Sequence, residues 1–358
     1  MRANESNVRI VRRMANELSG RPLRDTRRDR ALFVDREQPL RPAEKTLRNG
    51  GNVLLVGSRG SGKSSLLRMI AHHLSEDDGR PAVVVDGRAA GSTSEFLALL
   101  RDQLGAWPTV RFSEAASTVA SAVVGLANDP QLALRPSSGE AQALLSQLRE
   151  FGRSLPAEGK SIVLVDEMPS PESAHTLFGR LRDELWELPL VWLVAVDERD
   201  VGLYREPPAD AFWQRVVPIP ALDADSAAEL LRRRLDPNQL PDAVLAQLVE
   251  AAGGNPRRLI ALTYDVVVEG ADPSSVIKRD QNVQQQISDL SEPARRLLAE
   301  VEANGAASPS DQALLTKLGW TRSRASQVFR ELEQQALVRP LERPGLRGRP
   351  RRLYEVTY

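Results

Sequence analysis

The chain has 358 residues, 41% of them hydrophobic and 27% charged, the composition of an ordinary folded protein rather than a disordered one. It has no cysteine, which excludes disulfides, thiolate-bound zinc, iron–sulfur clusters and thiol catalysis, and its histidines (His72, His73, His175) form no HExxH pattern. The zero net charge is a cancellation: residues 1–50 carry 13 basic and 7 acidic side chains (+6), residues 161–250 carry 8 and 17 (−9), and residues 321–358 carry 9 and 4 (+5), so basic ends around an acidic middle point to a polyanionic partner.

The N-terminal stretch MRANESNVRIVRRMANELSG has neither an apolar core nor a small-residue cleavage site, so no secretory signal is expected. No apolar run approaches the roughly 20 residues of a membrane helix, and a cytoplasmic location without a membrane partner is expected. Residues 1–32 read as a short amphipathic helix followed by a basic linker, GRPLRDTRRDR. VLLVG at 53–57 is an apolar run that stops at glycine, the pattern of a strand entering a turn. In residues 63–75, Leu66, Leu67, Ile70 and Leu74 fall on one helical face. AVVVD at 82–86, IVLVD at 162–166 and LVWLVAV at 190–196 are continuous apolar runs that fit strands buried on both faces, and helical patterns separate them. The fold class expected is a doubly wound α/β domain with a mainly parallel sheet. Residues 108–140 interrupt that pattern and read as a helical insertion rich in small residues. From Ala221 the strands stop, and 224–235, 241–252 and 256–269 read as helices. Four segments are expected: an N-terminal helix and linker (1–32), an α/β domain (33–220), a helical domain with a connector (221–288), and a separate unit (289–358).

Gly57-Ser58-Arg59-Gly60-Ser61-Gly62-Lys63-Ser64 satisfies GxxxxGK[ST] in full. The glycines let the backbone curl until successive N–H groups face a triphosphate, and the following helix, entered through Ser65, adds its positive end. Lys63 would reach the β- and γ-phosphates and the Ser64 hydroxyl would ligate magnesium. The strand at 162–166 ends in Asp166 and Glu167. In this company Asp166 would hold the magnesium, and Glu167 would polarise the attacking water as general base. ATP or ADP and Mg2+ are the cofactors expected.

FVDREQPL and GGNVLLVGSRGSGKSSLLR, within residues 33–68, resemble the opening of AAA+ and STAND ATPases of the origin-initiator type. The resemblance, which spans roughly residues 30–270, implies a P-loop NTPase (AAA+) sheet domain with a helical lid. It places Phe33, Val34 and Arg36 beside the adenine, although the glycine of the family's box is replaced by Asp35. It implies that Arg215, in Phe212-Trp213-Gln214-Arg215-Val216, reaches a neighbouring subunit's ATP, and that Arg257, in Gly254-Asn255-Pro256-Arg257, opens the sensor-2 helix and touches the γ-phosphate. Asp197 falls near the sensor-1 position, where the family usually carries Asn, Ser or Thr. An acid there is a departure that bears on the hydrolysis rate.

In the last unit, 293–303, 310–318 and 322–335 read as three helices, with Thr321 as an N-cap. Residues 338–341 and 353–357 read as strands around ERPGLRGRPRR. This order resembles a winged helix-turn-helix, with Trp320 and Leu332 in its core. Ser323, Arg324 and Gln327 would then face a major groove. Arg343, Arg347, Arg349, Arg351 and Arg352 would lie along phosphates or in a minor groove. The function expected is an ATP-binding and ATP-hydrolysing switch or assembly factor that binds duplex DNA and forms a homo-oligomer in its ATP state. Two alternatives stay open. One is a STAND-type signalling or defence ATPase whose winged helix packs inward or meets a protein partner; the other is the ATPase subunit of a transposition complex.

Overall fold

The apolar runs at 53–57, 82–86, 162–166 and 190–196 become neighbouring strands of one sheet. The computed structural model describes residues 16–79, 82–105, 138–154, 161–342 and 352–358. The expected amphipathic helix at the start of the chain and the insertion at 108–140 therefore lie almost wholly outside the described residues. The chain divides into two compact units between Tyr264 and Asp265.

The sheet of the first unit consists of β1 (Val53–Gly57), β2 (Ala82–Val85), β3 (Ser161–Asp166), β4 (Leu190–Asp197) and β5 (Arg215–Pro218), in the order β2-β3-β4-β1-β5. Every pairing is parallel. Side chains alternate between the two faces, so β1 to β4 each feed two cores. Leu54, Val163, Val165, Trp192, Val194 and Val196 enter one; Val53, Leu55, Ile162, Leu164, Val191, Leu193 and Ala195 enter the other. Helices α1 (Glu37–Arg48) and α2 (Lys63–Asp78) cover the second face with Leu40, Leu47, Leu66, Leu67, Ile70 and Leu74. Helices α3 (Thr93–Gly105) and α4 (Ser138–Ser154) cover the first together with a ring cluster. There Phe178 meets Trp192, Phe212 and Trp213 at centroid distances of 5.8, 5.1 and 4.9 Å.

Strand β5 is an addition to the sequence expectation. Only Val217 is buried in it, while Arg215, Val216 and Pro218 are exposed, so it lacks the continuous apolar run of a strand covered on both faces. The basic linker also differs from expectation. It contains a short helix, Arg27–Ala31, capped by Thr26 and organised by the buried Asp29. That carboxylate accepts two parallel bonds from Arg21, 2.7 and 2.9 Å, and one from the Arg24 amide, 2.7 Å. One acid thus gathers a basic segment that otherwise reads as solvated. Past the sheet come α5 (Ala224–Arg232), N-capped by Asp223, α6 (Asp242–Ala252) and α7 (Pro256–Val267).

The second unit holds α8 (Pro273–Ser288), α9 (Glu292–Asn304), α10 (Gln312–Leu318), α11 (Arg322–Gln334) and the antiparallel pair β6 (Val338–Glu342) and β7 (Arg352–Val356). Its core gathers Leu297, Leu298, Val301, Leu314, Val328, Phe329, Leu332 and Tyr354, with Trp320 packed against it. Phe329 stacks on Tyr354 at 4.6 Å. Thr321 caps α11 as expected, accepting from the Arg324 amide at 3.3 Å.

Candidate functional site

Strand register fixes the geometry of the site. Gly57 pairs with Asp197, and Asp166 pairs with Ala195, so the carboxyl ends of β1, β3 and β4 bring the glycine loop, Asp166, Glu167 and Asp197 to one edge of the sheet. This edge is where open α/β sheets bind ligands. Residues 58–62 curl between β1 and α2, with Gly60 at φ 80° and Gly62 at φ 97°, a region closed to most side chains. Lys63 opens α2 and is buried. Its Nζ donates to the carbonyls of Gly57 (2.7 Å) and Ser58 (3.1 Å) and lies 3.9 Å from Asp197 Oδ2. Burial pushes the Lys63 ammonium below its ordinary pKa, against the negative charges of Asp197, Glu167 and Asp166.

Asp166 is buried, and burial pushes its carboxyl up, opposed by a hydrogen bond from Ser64. The strand ends there, and Glu167 turns with φ 66°. Its carbonyl passes so close to Gly87 that a Cβ on residue 87 would collide with it. Beside it Asp86 holds Arg88 by Nε (2.9 Å) and Nη2 (2.8 Å), and the Arg88 charge acts on Glu167 and Asp166. Sequence reasoning missed Asp86 and Arg88. The available signal was an acid closing a buried strand, at the position where the Asp166 strand also closes. Asp197 is gripped by Arg199 through Nε (2.7 Å) and its backbone amide (3.1 Å). Burial raises the Asp197 carboxyl, but Arg199 and the Lys63 charge together outweigh it and the net shift is downward.

The loop is braced from two sides. Arg36 is buried, with φ 83°, and donates to Ser61 O at 2.8 Å and to Pro220 O. Asp35 stands at φ 56°, so this chain keeps a left-handed turn without a glycine. From the other side Asn255 Nδ2 donates to Arg59 O (2.8 Å), and the Arg257 amide to Gly60 O (3.3 Å). The Gly254–Arg257 segment therefore lies against the glycine loop. Phe33 and Val34 are half-buried, and Phe33 packs on the core face beneath α1 and α2. The carbonyls of Leu32 and Phe33 accept from Arg234 (3.2 Å) and Arg233 (2.6 Å). Ser65 Oγ accepts from the Leu23 amide at 3.1 Å. Ser61 Oγ is buried without a partner. An orphaned hydroxyl among curled amides and a lysine fits a phosphate group, and paired hydroxyl and carboxylate oxygens at Ser64 and Asp166 fit a hard cation.

Residues 33–204 match the family model described as AAA ATPase domain. The chain carries an AAA ATPase domain. No curated protein matches the chain. Among solved structures, the Aeropyrum pernix ORC2 protein in ADPNP–ADP complexes shares 15% identity, covering 93% of each chain at a TM-score of 0.51. CDC6P from Pyrobaculum aerophilum shares 16%, covering 96% of this chain and 93% of that one at 0.50. These likenesses speak for the fold of the AAA domain: a five-stranded parallel sheet with surrounding helices, followed by a mostly helical region.

Two groups of expected residues stand apart from the AAA loop. Arg215 opens β5 opposite Val53, at the end of the sheet away from Gly57. Four residues of strand put it about 13 Å from the loop, beyond the reach of its own side chain. In the second unit Ser323, Arg324 and Gln327 are exposed on the first half of α11. Arg352 donates to Glu333 (2.7 Å) and lies 5.3 Å from the Tyr354 ring centre, so its charge is held by its own unit. Arg343, Arg347, Arg349 and Arg351 lie outside the described residues.

Proposed function

We propose that the AAA ATPase domain binds and hydrolyses ATP, and that the second unit is a winged helix that holds duplex DNA, making the protein a nucleotide-controlled DNA-binding switch. The observation that carries the first half is the meeting of Lys63, the Ser64–Asp166 pair and Glu167 at the carboxyl edge of the sheet. Curled amides of residues 58–62 and the Lys63 ammonium bind the phosphates. Ser64 and Asp166 would hold magnesium, which would supply positive charge against the phosphates. Among the described residues no three His, Cys, Asp or Glu side chains gather as metal ligands. Glu167 accepts the proton of the attacking water. Arg257, seated against Gly60, bears on the terminal phosphate. Arg215 cannot reach this site and serves a second copy of the chain, which makes a homo-oligomer part of the reading.

Helix α11 presents Ser323, Arg324 and Gln327, and β6–β7 forms the wing; the +5 charge of residues 321–358 supports a phosphate backbone as partner. Among the described residues no helix is long and apolar enough to cross a membrane. Equilibrium binding of labelled ATP tests the first half. Lys63→Ala should abolish binding, whereas Glu167→Gln should keep it and block turnover; normal affinity in the Lys63 variant refutes the site. For the second half, Arg324→Glu with Gln327→Ala should weaken duplex binding about tenfold or more at moderate salt. An unchanged mobility shift removes α11 from the interface.

A further inference from the structure

We propose that Asp197 sets the phosphate preference of the site, disfavouring a γ-phosphate and so favouring a nucleoside diphosphate over the triphosphate. The inference rests on the nucleotide-binding reading above.

Register puts Asp197 beside Gly57, at the mouth of the loop. Its two oxygens are divided. Oδ1 takes both bonds from Arg199, and Oδ2 faces Lys63 Nζ at 3.9 Å. Both side chains are screened from water, Lys63 at 7% exposure and Asp197 at 14%, so their attraction is not diluted as on an open surface. The other oxygens on Lys63 are neutral carbonyls of Gly57 and Ser58.

Phosphates do not depend equally on this lysine. In a GxxxxGK[ST] loop the curled amides hold the α- and β-phosphates, while the lysine spans the β- and γ-phosphates, so the γ-phosphate, beyond the amides, leans on it most. A carboxylate that competes for Lys63 acts first against that outer group. It also repels the extra negative charge directly, which an amide or hydroxyl at the same position would not do. Asp166 differs, because Ser64 occupies it and its negative charge serves a cation. Arg199 moderates the effect. Its guanidinium orients Asp197 and neutralises part of its charge, so the two residues tune the preference in opposite directions.

The test is calorimetric titration of the full chain with Mg-ADP and with the non-hydrolysable Mg-AMP-PNP, read as the ratio of the two Kd values. The wild type should bind ADP more tightly. Asp197→Asn should shift the ratio toward AMP-PNP by about 10- to 100-fold, the effect of removing one charge about 6 Å from the outer phosphate at an effective dielectric near 20 to 40. Arg199→Gln should shift it the other way. A ratio in Asp197→Asn within roughly threefold of the wild type, or movement of both variants in one direction, overturns the proposal. General damage to the loop weakens both nucleotides together and leaves the ratio unmoved, which also counts against it. If the wild type binds neither nucleotide, the nucleotide-site reading itself falls, and this inference falls with it.

Discussion

Gly60 and Gly62 share one loop and one backbone region but have different surroundings, and Gly60→Ala against Gly62→Ala isolates the contact between the loop and the 254–257 segment. Both substitutions place a side chain at positive φ, which costs roughly 1–2 kcal/mol. At Gly62 a Cβ meets nothing within 4 Å. At Gly60 it would stand 2.6 Å from Asn255 Oδ1 and 2.9 Å from Arg257 Cβ, and both are fixed near the start of α7. Relief requires the 254–257 segment to move off the loop, which breaks the Asn255–Arg59 and Arg257–Gly60 hydrogen bonds at about 1 kcal/mol each. We expect Gly62→Ala to lose about 1–2 kcal/mol and Gly60→Ala about 3–4 kcal/mol. Urea unfolding without nucleotide measures the difference through the transition midpoints. Hydrogen exchange at the Arg257 amide localises it, since that amide donates to Gly60 and should lose protection only in Gly60→Ala. Equal destabilisation within about 0.5 kcal/mol, with equal Arg257 protection, refutes the coupling.

Asp35→Gly should stabilise the chain by about 0.5–1 kcal/mol in thermal melting, because the left-handed turn at φ 56° then carries no side chain. Asp29→Asn should destabilise by about 2–3 kcal/mol at pH 7, since Arg21 loses its charged partner. Chiefly the Arg21 hydrogen bonds hold the Asp29 carboxyl below the usual range. Its contribution is therefore whole above about pH 4 and fades as pH falls through the folded value, so denaturation curves of the variant and the wild type should converge in acid. Arg36→Met should lower stability by about 2–3 kcal/mol, by leaving the Ser61 and Pro220 carbonyls without their donor. Phe329→Ala should lower the unfolding free energy of the second unit by about 3–5 kcal/mol, as Phe329 is fully buried against Tyr354.

Four strands, the glycine loop and the acidic strand end were legible because each is written locally. A strand covered on both faces has to be continuously apolar, and a loop that curls around phosphate has to place glycine and lysine at set spacings. Helices α5 to α7 and α9 to α11 were legible from their periodicity and caps. Strand β5 was not, because an exposed edge strand with one buried side chain carries no such run. The helix at Arg27–Ala31 was hidden by its own composition: among so many arginines nothing local marks Asp29 as the one that is buried. Asp86 and Arg88 escaped because their relevance depends on β2 lying next to β3, a matter of strand order. Asn255 and Arg257 were located by motif, but the bonds from Asn255 and the Arg257 amide to Arg59 and Gly60 join residues almost 200 positions apart. Asp35 was legible as a departure, yet only its φ shows that the turn survives it.

Arg233 and Arg234, at the end of α5, show where a self-sufficient piece of this chain has to begin and end. The match to the AAA model starts at Phe33 and stops at Tyr204. A fragment cut at those bounds would lack β5, exposing the whole hydrogen-bonding edge of β1 to other chains. It would also lack α5 and the Arg233 and Arg234 that follow it, which bind the carbonyls of Ala31, Leu32 and Phe33. Cutting only at the front is no safer. Arg234 is buried, and burial already pulls its pKa down to about 10, so removing Leu32 would take one of the carbonyls that its guanidinium holds. The matched stretch is thus narrower than the contacts that hold it, and a fragment meant for crystals or assays should reach from the Arg21–Asp29 clasp through α7.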